Sequence, residues 1–290
     1  MSFKILTDAS CNLTPQMLDE LGVIYKSLTI VDESGNEIRN YLSDKEFSFK
    51  GFYDRLRNKE HIKTSLINVE EFASMYEDVL KGGEDVLAIT ISSGISGTYQ
   101  AAKIAADDIR EKYPDRKVIV IDSLAASIGH GLLVYYAANL QKEGKSIEEV
   151  ADFIYKNRLR LVHKFTVDDL FFLKRGGRLS GGVAIVGTIL QIKPLLHVDN
   201  EGKLITQSKV NGRKKSLNAM FEEFKATVKD PENQVLAICH GDCFADAEFL
   251  ANKIRSEFNV KDIIINYCDP VIGAHAGPGV LALFYLADQR

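Results

Sequence analysis

The residues best placed to do chemistry lie in the stretch Ser92-Ser93-Gly94-Ile95-Ser96-Gly97-Thr98. It follows an apolar, β-branched run, Val86 to Ile91, and precedes Tyr99 to Ile109, an Ala-rich segment with apolar positions at helical spacing. That pattern predicts a buried strand handing over to a helix. The first amides of a helix have no partner inside it and the helix dipole favours negative charge there, so the junction is a natural anion site. Gly94 and Gly97 allow close backbone approach, while Ser93, Ser96 and Thr98 bring hydroxyl donors. The structural alternative is that Ser96 or Thr98 caps the helix and the glycines make the turn. A phosphate loop requires two glycines five apart followed by Lys and Ser or Thr, and the dinucleotide fingerprint requires GxGxxG. Here the spacing is Gly94-x-x-Gly97 with no lysine after it. The expected anion is therefore small and singly charged, such as a carboxylate.

Two further polar spots interrupt apolar surroundings: Thr64-Ser65, and His275 in the run Gly273-Ala-His275-Ala-Gly277-Pro-Gly279. Thr64 also reads as a turn or cap hydroxyl, and a lone His as structural. The basic glycine loop Lys174-Arg175-Gly176-Gly177-Arg178, with Lys209, Arg213, Lys214 and Lys215, reads either as a solvated face or as a docking surface or phosphate contact. As an enzyme the constellation is thin, with no GxSxG elbow, no HExxH and no paired carboxylates at a motif spacing. A serine, Ser96 or Ser93, with His275 would suggest a hydrolase or acyl transferase, but a hydroxyl at a helix start is no nucleophile without an oriented base. The four cysteines, Cys11, Cys239, Cys243 and Cys268, read as free buried or edge thiols. Cys239-His240-Gly-Asp242-Cys243 has no second ligand pair to complete a metal site.

The elements that must position these groups alternate. Strands are expected at Phe3 to Thr7, Val23 to Val31, Val86 to Ile91 and Lys117 to Ile121. Helices are expected from Thr14-Pro15, at Phe47 to Asn58, at about Val69 to Leu80, at Ala125 to Gln141 and at Ile147 to Arg158, with a short polar connection through Thr64-Ser65. Such alternation implies a layered parallel sheet with ligands beyond the carboxyl ends of its strands, where Thr7-Asp8, Ser92-Ser93 and Asp122-Ser123 fall. From Leu161 the pattern is mixed: a strand to Val167, a short helix over Asp168 to Leu173, an apolar run Gly182 to Gln191, and a hairpin of Pro194 to Val198 with Leu204 to Val210. Then come helices at Lys214 to Val228 and Ala245 to Phe258, strands at Gln234 to Cys239 and Asp262 to Asn266, and an apolar strand or helix over Ile272 to Tyr285. The fold class expected is α/β with two domains, a Rossmann-like layered parallel-sheet domain over residues 1–160 and a mixed α/β domain over 161–290, with the ligand between them. At 290 residues both can have real cores. A net charge of −4 argues against a nucleic-acid partner. The N-terminus runs straight into a strand with no secretion leader, and no apolar segment makes a convincing membrane span. No stable membrane insertion and a cytoplasmic location are expected.

Read together, FKILTDAS (Phe3 to Ser10), Thr64-Ser65, SSGISGTYQ (Ser92 to Gln100), VIDS (Val120 to Ser123), LKRGGRLS (Leu173 to Ser180), IKPL (Ile192 to Leu195) and IGAHAGPG (Ile272 to Gly279) resemble the DegV family in order along almost the whole chain. The resemblance implies a bacterial protein with no catalysis or cofactor of its own. It would bind one long-chain fatty acid and present the carboxylate to a separate ATP-binding subunit of a fatty acid kinase, which makes acyl-phosphate for phospholipid synthesis. By position, Thr64 and Ser96 are similar to the family's carboxylate contacts, with Ser65, Ser93, Gly97 and His275 close by. Arg175, Arg178 and Arg213 would lie near the partner-docking face. Leu66-Ile67 stands where many members have Gln-Pro, which changes one wall of the site.

Overall fold

Burial on both faces explains why the first strands read as unbroken apolar runs: every residue of the strand Asp85–Thr90 is buried. The computed structural model describes residues 2–39, 47–179 and 191–290. In chain order the first half comprises β1 (Phe3–Asp8), α1 (Pro15–Leu21), β2 (Ile24–Lys26), β3 (Thr29–Val31), β4 (Glu37–Arg39), α2 (Phe49–Arg57), β5 (Lys63–Ser65), α3 (Val69–Lys81), β6 (Asp85–Thr90), α4 (Thr98–Lys112), β7 (Val118–Asp122), α5 (Ser127–Lys142) and α6 (Ile147–Asn157). Four of its strands form an all-parallel sheet in the order β2-β1-β6-β7. The chain turns opposite ways from β1 to β2 and from β6 to β7, the arrangement that opens a crevice beyond the carboxyl ends of a sheet.

The second half comprises β8 (Leu161–Thr166), α7 (Phe171–Arg175), β9 (Ile192–Val198), β10 (Leu204–Asn211), α8 (Arg213–Thr227), β11 (Val235–His240), α9 (Phe244–Glu257), β12 (Asp262–Tyr267), α10 (Pro270–Ala276) and β13 (Leu281–Leu286). Its sheet is mixed, in the order β10-β9-β8-β13-β11-β12, with β11 and β12 parallel and the other pairs antiparallel. Alternation along these strands sorts the core. Phe165, Cys239, Ala282 and Phe284 face the first half and join its hydrophobic core. Val162, Ile238, Leu283 and Tyr285 pack under α8 and α9 in a separate cluster.

Three expectations change. Val23 to Val31 is not one strand: the chain leaves the parallel sheet after Lys26, buries Leu28, and enters a three-stranded antiparallel sheet, β4-β3-β5. The polar connection at Thr64-Ser65 is the third strand of that sheet, with Thr64 opposite Ile30. The chain end holds both a helix and a strand: Asp269 Oδ1 accepts from the amides of Val271 and Ile272 and Pro270 occupies the first turn, so α10 begins three residues before Gly273. His275 thus stands on a helix. The apolar run Gly182 to Gln191 lies, apart from Gln191, outside the described residues.

Among the contacts that join the halves, one brings two backbones together. The turn of the β9–β10 hairpin lies on the loop after β6, where Ser92 Oγ donates to the Gly202 carbonyl at 2.8 Å. A Cβ on Gly94 would sit 2.6 Å from the Gly202 carbonyl carbon and oxygen, and one on Gly202, whose φ is +74°, would sit 2.0 Å from Ser92 Oγ. Arg290 ties the same region by donating to the carbonyls of Leu124 and Asp199. Gly202→Ala is expected to destabilise the chain by about 1–3 kcal/mol through overpacking and left-handed strain. Gly144→Ala, with φ +84° and nothing within 4 Å of the added carbon, is expected to cost distinctly less. Urea unfolding of the two variants checks this, and equal losses would remove the crowding argument.

Candidate functional site

A cavity of about 980 Å³ of empty space, its open mouth included, lies between the inner face of the six-stranded sheet and the first half of the chain. Its floor is Phe165, Val198, Leu204, Ala282 and Phe284, so most of the wall is apolar. One end is polar and is built from four separate elements: β5 brings Thr64 and Ser65, the loop before α4 brings Ser96 and Gly97, α10 brings His275, and the loop after α7 brings Arg178.

Thr64 Oγ1 and His275 Nε2 share a hydrogen bond of 2.9 Å. Gly176 lies against the other side of the imidazole, where an added Cβ would sit 2.3 Å from Nδ1. The basic glycine loop therefore closes over His275. Burial first, then the charges of Arg178 and Arg175, push the His275 pKa down to about 4, so the ring is neutral at pH 7. Arg178 Nε donates to the Ile95 carbonyl at 3.2 Å and its Nη1 to Gly176, linking the two loops that flank this end. Burial lowers its pKa too.

Across from Thr64, α4 starts at Thr98 with Gly97 as the capping residue, which offers no side chain to the first amides. Ser96 Oγ accepts from the Thr98 amide at 3.3 Å and lies 2.9 Å from Thr98 Oγ1. With the Thr98 hydroxyl donating inward, the Ser96 proton is free for an acceptor in the cavity. Two hydroxyls, a helix start and a neutral imidazole make a site for a carboxylate, and the apolar wall suits a hydrocarbon chain.

Not every expected residue falls here. Ser93 is exposed and outside the cavity wall, because its amide is held by Asp122 Oδ1 and turns the residue away. Gly94 approaches the Gly202 backbone and not a ligand. Thr7, Asp8 and Asp122 do not face a crevice. Thr7 bonds the Ile89 carbonyl and His130, Asp8 accepts from the Ile91 amide, and Asp122 accepts from the amides of Ser93 and Leu124, so they brace the loops. Arg175 lies over the rings of Phe171 and Phe172. Arg213 pairs with Asp246 at 2.8 Å and Asp168 at 3.8 Å, away from the cavity. Neither Ser93 nor Ser96 is bonded to His275, so the pair a serine hydrolase would use is not assembled. Arg178, expected at a docking face, lines the cavity. Ser127, His163, Cys239 and Cys268 also line it. No motif spacing marks them, though alternation along the strands would have turned His163 and Cys239 inward.

A family model described as an uncharacterised protein of the DegV family matches residues 2–288. The chain belongs to the DegV family. Among DegV relatives, a DegV domain-containing protein of Clostridium perfringens is 42% identical over 288 residues, covering 99% of this chain and 98% of its own. A DegV family protein from Thermus thermophilus, described by its fatty acid binding, superposes with a TM-score of 0.88 at 29% identity, over 99% of this chain and 100% of its own. DegV from Bacillus subtilis, described as a fatty acid binding protein, does so with a TM-score of 0.84 at 27% identity, over 99% of each. Among the described residues no cluster of His, Cys, Asp and Glu is disposed to hold a metal, and no helix is long and apolar enough to cross a membrane.

The neutral His275 has a measurable consequence. Its folded pKa, about 4, lies below the ordinary value of about 6.5, so the unfolded chain binds more protons between these values. Stability therefore falls as pH drops from about 6.5 towards 4. His275→Gln should reduce that fall by about 3 kcal/mol at pH 4, read from urea unfolding at pH 7 and pH 4. An unchanged pH dependence would show that the ring is not held neutral.

Proposed function

We propose that the chain binds a single long-chain fatty acid, with its carboxylate at Thr64, Ser96, Ser65, Gly97 and His275 and its tail along the sheet floor. The observation that carries this reading is the convergence of Thr64 and His275, 2.9 Å apart, with Ser96 and Gly97 at the end of the apolar cavity where α4 begins. The fatty acid binding of the Thermus and Bacillus relatives supports it. With Nε2–H of His275 donating to Thr64, the threonine proton is free for one carboxylate oxygen, and Ser96 serves the other. Such bonds offset the cost of taking the charge out of water. A buried tail of about 15 methylenes at roughly 0.8 kcal/mol each supplies on the order of 10 kcal/mol gross, before ordering costs reduce it.

The reading extends to a carrier without catalysis of its own, located in the cytoplasm, that presents the carboxylate to a separate ATP-dependent fatty acid kinase subunit for acyl-phosphate formation feeding phospholipid synthesis. Arg175 and Arg178, beside the carboxylate end, would meet that partner. Arg213, held by two carboxylates, fits this role less well. The reading divides the chain into domains 1–160 and 161–290, a division supported by the described strands from Leu161 onward, all of which join the second sheet.

Mass spectrometry of an organic extract of the natively purified chain is expected to give one long-chain fatty acid at near one per chain. No lipid, with none taken up on addition, would sink the proposal. Thr64→Val, which keeps the side-chain shape and removes the hydroxyl, should weaken binding by about ten-fold or more, the loss expected for a hydrogen bond to a charged group. Incubated with ATP and fatty acid, the chain alone should form no acyl-phosphate; its formation would overturn the carrier role.

A further inference from the structure

The cavity has a second polar region that the carboxylate does not use. Ser127, His163, Cys239 and Cys268 line it where α5 begins, among otherwise apolar wall. Ser127 Oγ lies 3.0 Å from Asn12 Oδ1 and 3.3 Å from Cys239 Sγ, and its single proton can serve only one of them. Among the described residues no N–H donates to this hydroxyl; besides Cys239 only the Cys268 thiol, at 4.0 Å, is in reach, so a lone pair remains for a stronger donor in the cavity. His163 is buried, and its Nδ1 lies 3.1 Å from the Leu161 carbonyl, which can only accept. The proton is therefore on Nδ1, and the single lone pair of Nε2 accepts from the Ala126 amide at 3.3 Å, so both ring nitrogens have partners. Desolvation keeps the ring neutral, with its pKa well below the ordinary value.

This region thus offers Ser127 Oγ as an acceptor, with the thiols as weak donors, and none of its described lining residues is a cation: Arg178, the sole Lys or Arg in the described wall, sits beside His275. A second carboxylate would find no cation among the lining residues. A hydroxyl both donates and accepts, which suits Ser127 Oγ on one side and the thiols on the other.

We propose, resting on the fatty-acid reading above, that this region receives a hydroxyl carried on the acyl chain, so that the preferred ligand is a hydroxy fatty acid held at both ends of the cavity. The test is a competition assay on the full chain, stripped of lipid, in which octadecanoic acid and a positional series of hydroxyoctadecanoic acids displace a fluorescent fatty acid. At least one isomer is expected to bind about five-fold tighter than octadecanoic acid, the gain of one net hydrogen bond. Ser127→Gly removes the hydroxyl at a left-handed position, φ +54°, that glycine adopts freely, and should bring that ratio to about one. No isomer tighter than the parent acid, as when a water already fills the region, would overturn the proposal, as would a preference that survives Ser127→Gly. Failure of every acid to bind, octadecanoic acid included, would instead overturn the fatty-acid reading on which it rests.

Discussion

The contact of one backbone with another, Gly94 against Gly202, is the constraint on which the rest of the site depends. The loop carrying Ser96 and Gly97 leaves the parallel sheet, while Val198 and Leu204 of the cavity floor belong to the hairpin whose turn holds Gly202. Neither glycine can carry a side chain without pushing the two apart. Ser92 adds a hydrogen bond across the same junction, and Arg290 adds two. This junction therefore ties the loop at the polar end of the cavity to the hairpin of its floor, alongside the bonds of Thr64 with His275 and of Arg178 with Ile95 that cross between the halves at the same end.

Electrostatics follow from the same geometry. The carboxyl ends of the parallel strands carry Asp8 and Asp122, which accept from loop amides and so face away from the cavity. The end that remains presents a helix start, hydroxyls, a neutral imidazole and one guanidinium. Negative charge belonging to the protein is spent on holding the loops, and none of the charged side chains lining the cavity repels an anion.

Much of this was legible in the sequence, for reasons that name its limits. The run from Val86 to Thr98 showed a strand, a glycine turn and a helix because each has a local signature. The alternation of strands and helices showed a parallel sheet in the first half. Gly94 was misread because a glycine that permits close approach does not say what approaches; the partner, Gly202, is more than a hundred residues away. The three-stranded sheet that places Thr64 was invisible because its strands are three residues each and pair across a long separation. The helix under His275 left a signal, Asp269-Pro270, whose cap and first-turn meaning goes unread if the glycines after it are taken for a loop. Ser127 and His163 meet only through the tertiary fold, so no spacing announces them.

The sheet floor has one more implication. Phe165, Cys239, Ala282 and Phe284 belong to the same continuous core as the strands and helices of the first half, while only the outer face, under α8 and α9, forms a cluster of its own. Cutting the chain at the sheet boundary would leave each piece with a bare apolar face, prone to self-association. The two halves thus share one interior, and each supplies half of the wall that keeps the cavity dry.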